Sequence, residues 1–412
     1  LPELLIVADD LTGAADCGLP FAARGFATAV TLSQDRAALD ADADVLAIDG
    51  DTRWRSQEEA ARETARLVAR WAPSCRTVFK KIDSTLRGHV GPEIAAALRA
   101  LRAARGSGLV VMTPAFPALG RAAREGRLFV RGVPLEDTEL GRGSPRPGPA
   151  RIPGLLDDAG LRTAVIGLDV LRSGVARVRA EMARHAESGD VLACDAETDD
   201  DLRAIVAGAR SLGRPLAWAG SAGLAQPVAE AMSEGRARRP SAAPPLAGGP
   251  ILFVVGSPSA VSREQVSALA MEPPLTTVVS IAADVHAGEE PGARVEAALA
   301  SGRDVVVTLE APRPGRIADG RRVAAGVGRL VASHGRRVGA LVLIGGDTAR
   351  AVLEALGVVA LRLWTQVEPG VPLSTSEGAR RIPVITKAGA FGDRETLMRC
   401  RAALRRGPAW GH

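Results

Sequence analysis

Tyrosine is absent from this 412-residue chain, and aromatic residues make up only 3% of it. A surface that binds nucleic acid by stacking interleaves aromatic with basic side chains, so the composition argues against such a partner. The net charge of +5 does not restore that reading. Basic residues alternate with acidic ones in stretches such as 56–70, and no basic block stands alone. Anionic small molecules fit this balance better. Cysteine is equally sparse: Cys17, Cys75, Cys194 and Cys400 lie far apart, with no CxxC and no Cys/His ligand spacing. They read as thiols in a reducing compartment. No apolar run reaches the roughly 18 residues of a membrane helix. Leu1 to Ala8 is too short for a signal peptide and is interrupted by Glu3, so a cytoplasmic location with no membrane partner is expected. None of the lysines precedes Ser or Thr, which excludes Gly-x-x-x-x-Gly-Lys-Ser/Thr. No Gly-x-Gly-x-x-Gly follows a strand, so a dinucleotide oxidoreductase loses its main support.

What is present is an α/β pattern, in which short apolar runs alternate with helical periods. The runs 4–8, 27–32, 45–48, 77–79, 109–112, 163–166, 191–193 and 215–219 read as strands of one half. Those at 251–255, 276–280, 304–309, 340–344 and 383–385 read as strands of the other. Residues 56–71 form an amphipathic helix, with Ser56 and Glu59 placed as a capping box. Residues 128–135 suggest a hairpin about Arg131-Gly132, and the Gly-, Arg- and Pro-rich stretch 139–153 reads as a mobile surface loop. The prolines and glycines of 233–250 mark a linker. The expected architecture is two α/β domains, 1–232 and 251–412, with mainly parallel sheets and a ligand cleft between them. A linker of this kind also suggests closure over bound substrates.

The chemistry concentrates in polar loops at strand ends, where open α/β sheets place their ligands. Asp9-Asp10-Leu11-Thr12-Gly13 follows the first strand, Asp51-Thr52-Arg53 the third, and Asp83-Ser84-Thr85-Leu86-Arg87-Gly88 the fourth. Carboxylates accept from sugar hydroxyls, and guanidiniums grip a carboxylate with two bonds, so the set suits an acid sugar. Taken singly, Asp9 as a helix cap and Arg53 as a surface ion pair are about equally good readings. Of 52 basic residues only Lys80, Lys81 and Lys387 are lysine. Strand alternation points Lys80 and Lys81 to opposite faces, so at most one of them faces the site. In the second half, Gly256-Ser257, Gly345-Gly346-Asp347-Thr348 and the turn Lys387 to Asp393, which includes Gly389, are glycine-bearing strand-end turns. Such turns bring backbone N–H groups and a helix start close to phosphate. Ala219-Gly220-Ser221-Ala222-Gly223 approximates a nucleophile elbow, but no Asp and His pattern follows it.

Together these stretches resemble the four-carbon acid sugar kinase family. The matching segments are ADDLTGAADCG (8–18), DTR (51–53), KKIDSTLRGHVGPEI (80–94), PAFPALGR (114–121), GSAGLA (220–225), VVGSPSAVSREQV (254–266), GGDTARAVLEALG (345–357) and ITKAGAFGD (385–393). They run in order along nearly the whole chain. The resemblance implies an amino-terminal sugar-acid domain and a carboxy-terminal nucleotide domain. It also implies phosphorylation of the terminal hydroxyl of threonate, erythronate or 3-oxo-tetronate by ATP, with Mg2+ as cofactor. On this reading Asp10 and Asp83 are the candidate catalytic residues, and Asp9, Arg53, Ser84 and Arg87 bind the substrate. Ser257, Gly345, Gly346, Asp347, Thr348, Lys387 and Gly389 hold the nucleotide, and no residue is assigned as a direct metal ligand. The family's Asp-Pro pair has no counterpart at 141–145, Gly-Arg-Gly-Ser-Pro, which bears on substrate identity. The expected partners are a small-molecule acid sugar and ATP, with homodimerisation left open. The competing class is a non-catalytic sensor that binds sugar acid and nucleotide without turnover.

Overall fold

The computed structural model describes residues 1–32, 43–142, 150–236, 246–272, 276–281, 289–309 and 320–406. The core of the expected linker (237–245) and most of the expected surface loop (143–149) lie outside them. The described residues divide into two compact α/β units. The first contains 1–27 and the described residues from 43 to 236. The second contains 28–32 and the described residues from 246 onward. The strand Thr28–Thr31 is thus part of the second unit, although its sequence lies among first-unit strands. It pairs antiparallel with Val358–Glu368.

The first unit holds seven parallel strands. Their order is Val45–Asp49, Leu4–Ala8, Thr77–Lys81, Leu216–Gly220, Leu109–Thr113, Val191–Cys194 and Thr163–Ile166. Leu4–Ala8 is buried at every position, as parallel strands covered on both faces must be. The helices Leu11–Ala22 and Ala222–Ser233 pack together, as do Gln57–Trp71 and Val90–Arg105. The capping box at Ser56 and Glu59 is formed. A small antiparallel sheet, Arg121–Arg124, Arg127–Val130 and Val133–Pro134, occupies the expected hairpin region. The chain moves from Leu4–Ala8 to Val45–Asp49 on one side, then to Thr77–Lys81 on the other. The sheet therefore reverses direction beside Leu4–Ala8, and the loops after that strand and after Thr77–Lys81 flank the reversal point.

The second unit repeats this logic. Its parallel strands run Thr276–Ile281, Asp304–Leu309, Ile251–Val255, Ala340–Ile344 and Pro383–Lys387. Beyond Pro383–Lys387 the sheet continues antiparallel through Val371–Gly378, Val358–Glu368 and Thr28–Thr31. Here the reversal lies between Ile251–Val255 and Ala340–Ile344, whose loops begin with Gly256 and Gly345. The core is mainly aliphatic, built on Ile251, Val342, Ile344, Leu373, Ile385 and Leu397 around Phe253. No helix among the described residues is long and apolar enough to cross a membrane.

Candidate active site

Three loops of the first unit meet at its reversal point. Asp10 caps the helix Leu11–Ala22: its Oδ1 accepts from Gly13 N at 2.9 Å and its Oδ2 from Thr12 Oγ1 at 2.8 Å. The helix-cap role that was the alternative reading of Asp9 is taken by Asp10. Asp9 is buried and receives a two-bond grip from Arg53, Nε to Oδ2 at 2.7 Å and one Nη to Oδ1 at 2.9 Å. The other Arg53 Nη donates to Asp10 Oδ2 at 2.7 Å, and Asp83 Oδ1 stands 3.8 Å from the Nη that holds Asp9. Arg53 is thus buried in carboxylates rather than held in a surface pair. Burial opposes its charge, but Asp10, Asp9 and Asp83 outweigh that and raise its pKa well above the usual range.

Asp83 is gripped in the same way by Arg87, at 2.9 Å to Oδ2 and 2.7 Å to Oδ1. It also accepts from the Thr85 hydroxyl and from Thr85 N. Burial works against its charge, yet Arg87, Arg53 and Thr85 hold the carboxyl well below its ordinary pKa. Ser84 follows in the same turn, partly accessible. Leu86 adopts a left-handed backbone, φ 61°, an arrangement that costs about 1 kcal/mol and recurs where a loop must present ligand groups. Gly88 is required by its φ of +82°. A Cβ there would press on Asp9 Oδ2 at 3.2 Å, but the left-handed backbone is what favours glycine where this loop crosses the Asp9–Arg53 pair.

Lys80 and Lys81 point to opposite faces, and both are buried. Lys80 Nζ is 3.2 Å from Glu93 Oε1, which also accepts from Thr52 Oγ1 at 2.6 Å and Thr64 Oγ1 at 3.1 Å. Lys81 Nζ donates to Ile82 O at 2.9 Å and lies beside the helix that starts at Asp10. There it partly offsets the burial that pushes Asp16 up to about 6, a push Asp10 reinforces. Asp16 escaped the sequence reading although it stands inside the segment 8–18. Its signal, a carboxylate two turns into an otherwise apolar helix, was readable. Ser221 serves as a cap, donating to Ala115 O at 2.6 Å and accepting from Gly223 N at 3.0 Å.

In the second unit the three glycine turns come together. Gly256 N donates to Ile344 O, and Gly345 N donates to Lys387 O, both at 3.0 Å. A Cβ on Gly256 would fall 1.8 Å from Thr348 Oγ1, and one on Gly389 would fall 1.8 Å from Ser257 Oγ. The helix Gly346–Ala355 begins at this junction with no side-chain cap, its N-cap Gly345 at φ 102°. Its first N–H groups are therefore available to an anion. The turn 388–393 is held from behind by its carbonyls. Ser259 and Ser262 Oγ each donate to Gly389 O at 2.9 Å, and Gln265 Nε2 donates to Phe391 O and Asp393 O. Lys387 Nζ donates to the carbonyls of Ala388, Gly389 and Phe391 at 2.9–3.2 Å. Burial pulls the Lys387 pKa down to about 8, partly countered by Cys400 and Glu368. In this arrangement Lys387 organises the turn. Ser259, Ser262 and Gln265 were not singled out from sequence, although they stand in the segment 254–266.

Family models match along the chain, a sugar-binding N-terminal domain at residues 4–228 and a nucleotide-binding C-terminal domain at 252–397. A D-threonate kinase of Cupriavidus necator is 39% identical, over 95% of this chain and 96% of its own length. The chain belongs to the four-carbon acid sugar kinase family. It is a phosphotransferase. Other members of the family are named differently: a D-erythronate kinase of Heliobacterium modesticaldum is 32% identical over 97% of this chain and 96% of its own. A 3-oxo-tetronate kinase of Pseudomonas fluorescens is 32% identical over 99% and 98%. A crystal structure from Salmonella typhimurium LT2 has the same fold, with a TM-score of 0.81 at 24% identity over 97% of this chain and 98% of that one.

Proposed function

We propose that the chain is an ATP-dependent kinase that phosphorylates the terminal hydroxyl of a four-carbon acid sugar, of the threonate, erythronate or 3-oxo-tetronate type, to the 4-phosphate. The observation that carries this reading is the D-threonate kinase relative, 39% identical over 95% of the chain. The acid pocket of the first unit and the phosphate-accepting turns of the second are the chemistry such a reaction needs.

In this reaction the terminal oxygen bonds to the γ-phosphorus, the bridge to the β-phosphate breaks, ADP leaves, and the hydroxyl proton passes to a carboxylate. Such transfers depend mainly on alignment and charge neutralisation, with the proton lost late, so a weak carboxylate base suffices. Asp10 or Asp83 takes that role. Arg87 keeps Asp83 ionised and oriented for it. Asp9 and Ser84 accept from or donate to the other hydroxyls. The N–H groups that begin the helix at Gly346, with Ser257 and Gly389, hold the phosphates, and Lys387 keeps the Gly389 turn in place. Mg2+ fits as an ion carried mainly by nucleotide oxygens and water. Among the described residues no group of three or more His, Cys, Asp or Glu could cage a metal. Asp347 and the Thr348 hydroxyl are the protein oxygens at the turn. When bound, the ion neutralises charge on the β- and γ-phosphate oxygens.

A coupled ADP-release assay over stereoisomeric tetronates tests the reading. Turnover is expected with at least one acid, and Asp83→Asn should lower kcat by about 100-fold or more. Tight binding of ATP and acid with no turnover on any tetronate would identify a sensor instead.

A further inference from the structure

In the turn 388–393 the carbonyl of Gly389 is held by Ser259, Ser262 and Lys387. Besides Gln265, the second half of the turn is held by a different element, the tip of the hairpin formed by Val358–Glu368 and Val371–Gly378. The register of this hairpin shifts between Gln366 and Glu368, an irregularity of the kind that re-aims a side chain. Glu368 ends the first strand with its side chain only 14% exposed and both carboxylate oxygens engaged. Its Oε1 accepts from Thr396 Oγ1 and its Oε2 from Arg399 Nε, both at 2.6 Å. Each of those partners also holds Asp393, the last residue of the turn. Thr396 Oγ1 accepts from Asp393 N at 3.0 Å, and an Arg399 Nη donates to Asp393 Oδ1 at 2.7 Å. At Gly392 a Cβ would strike Thr396 Oγ1 and lie 2.6 Å from Glu368 Oε1. At Gly370 a Cβ would strike the Phe391 ring, so that ring rests on the bare backbone of the hairpin tip. The tip therefore meets the turn at Phe391, Gly392 and, through Thr396 and Arg399, Asp393. A lone carboxylate this close to a phosphate turn would repel a nucleotide; the Arg399 guanidinium matches its charge.

We propose that Glu368 is a positioning residue for the nucleotide. Through Thr396 and Arg399 it fixes the second half of the turn that carries Gly389, and so sets the affinity for ATP without touching it. The inference rests on the kinase reading, in which Gly389 and the neighbouring turns take the phosphates.

The test compares the full-length protein with Glu368→Ala and Glu368→Gln, and with Asp304→Asn as a control for general loosening. Asp304 accepts from Arg401 and Arg405 of the same helix, Thr396–Arg406, but it begins its strand, at the edge of the parallel sheet opposite the glycine turns. Binding of ADP and of threonate is measured by calorimetry, and kcat and KM for ATP by the coupled assay. A hydrogen bond to a charged group contributes roughly tenfold or more, of which a part reaches the nucleotide. In Glu368→Ala the Kd for ADP and the KM for ATP should therefore rise about 10- to 100-fold, with kcat at saturating ATP and threonate binding changed less than about twofold. The glutamine variant keeps an acceptor for Thr396 but offers Arg399 an amide that cannot accept, so its rise should be smaller, about three- to tenfold. It carries the test if the alanine variant does not fold. Asp304→Asn should lower Tm and leave KM for ATP within about twofold. Unchanged ADP affinity in the Glu368 variants overturns the positioning role, as does a fall in kcat with KM for ATP unmoved. An equal rise in KM for ATP in Asp304→Asn also overturns it, because loosening anywhere in the unit would then suffice. ADP binding that depends on Glu368, in a protein that phosphorylates no tetronate, would sink the kinase reading and leave the positioning role standing. Turnover with a KM for ATP indifferent to Glu368 would do the reverse.

Discussion

Gly389→Ala is a sharp probe of the nucleotide site. Gly389 does not occupy the left-handed region, so alanine is conformationally acceptable there and only space decides. The new methyl would sit 1.8 Å from Ser257 Oγ and 2.4 Å from Ser257 Cβ. Rotating the hydroxyl away removes the first clash but not the second, since Cβ is fixed to the backbone. Either the turn at 389 or the strand end at 256–257 must then move by more than half an ångström. The carbonyl of Gly389 is pinned by Ser259, Ser262 and Lys387, so movement breaks good hydrogen bonds. Overpacking of this kind costs about 1–3 kcal/mol. If that strain is relieved by opening the phosphate turns, KM for ATP should rise roughly 5- to 100-fold, at 1.4 kcal/mol per tenfold. Acid binding by calorimetry in the absence of nucleotide should not change, because the acid pocket belongs to the other unit. The double variant Gly389→Ala/Ser257→Gly removes both contacting atoms and should recover the thermal stability lost in the single variant. An unchanged KM for ATP in Gly389→Ala, or a double variant no more stable than the single, would refute this packing of the turns at the nucleotide site.

Three further outcomes follow from the buried charges. Glu93→Leu leaves Lys80 without the Glu93 carboxylate and Thr52 and Thr64 without their acceptor; thermal unfolding should show a loss of about 3–5 kcal/mol, and a change under 1 kcal/mol would mean this buried cluster does not hold the fold together. Lys387→Met removes three donors from the turn, so KM for ATP should rise about tenfold while acid binding holds; parity with wild type in ATP kinetics would deny Lys387 its positioning role. Asp16, raised to about 6, binds a proton in the folded state between about pH 6 and its ordinary value of 3.8, where the unfolded chain does not. Its charge therefore opposes folding above about pH 6, and that penalty fades as pH falls toward 4. Asp16→Asn should raise Tm relative to wild type at pH 7–8 and lose that advantage near pH 4; a Tm difference that does not vary with pH would contradict the burial of the ionised group.

The parallel strands were legible because each is a short apolar run, most of them buried on both faces, with Thr163–Ile166 half-exposed at the sheet edge. Leu4–Ala8, Thr163–Ile166, Ile251–Val255, Asp304–Leu309 and Ala340–Ile344 end where the sequence places them. The antiparallel hairpin Val358–Glu368 and Val371–Gly378 escaped detection. Its strands carry Arg362, Gln366 and Glu377 among apolar residues, and its first strand is interrupted by register shifts, so no clean period of two survives. The membership of Thr28–Thr31 was also hidden. Its composition says strand, but its partner lies some 330 residues away in sequence, and pairing at that separation leaves no local trace.

The site was legible by residue type and loop position but not by role, and the reason is charge pairing. A sequence shows that Arg53, Arg87, Asp9, Asp10 and Asp83 lie in strand-end loops; it does not show which charges already satisfy one another. Once the pairs are drawn, the residue types read as ligands for the substrate carboxylate turn out to be spent on the protein's own carboxylates. The lysines follow the same rule: Lys80 faces Glu93 and Lys387 faces three carbonyls, so the scarce ammonium groups are spent inside the fold. What a ligand can use is what remains after that pairing. In the second unit the remainder includes the start of the helix at Gly346, whose N-cap Gly345 brings no side-chain cap.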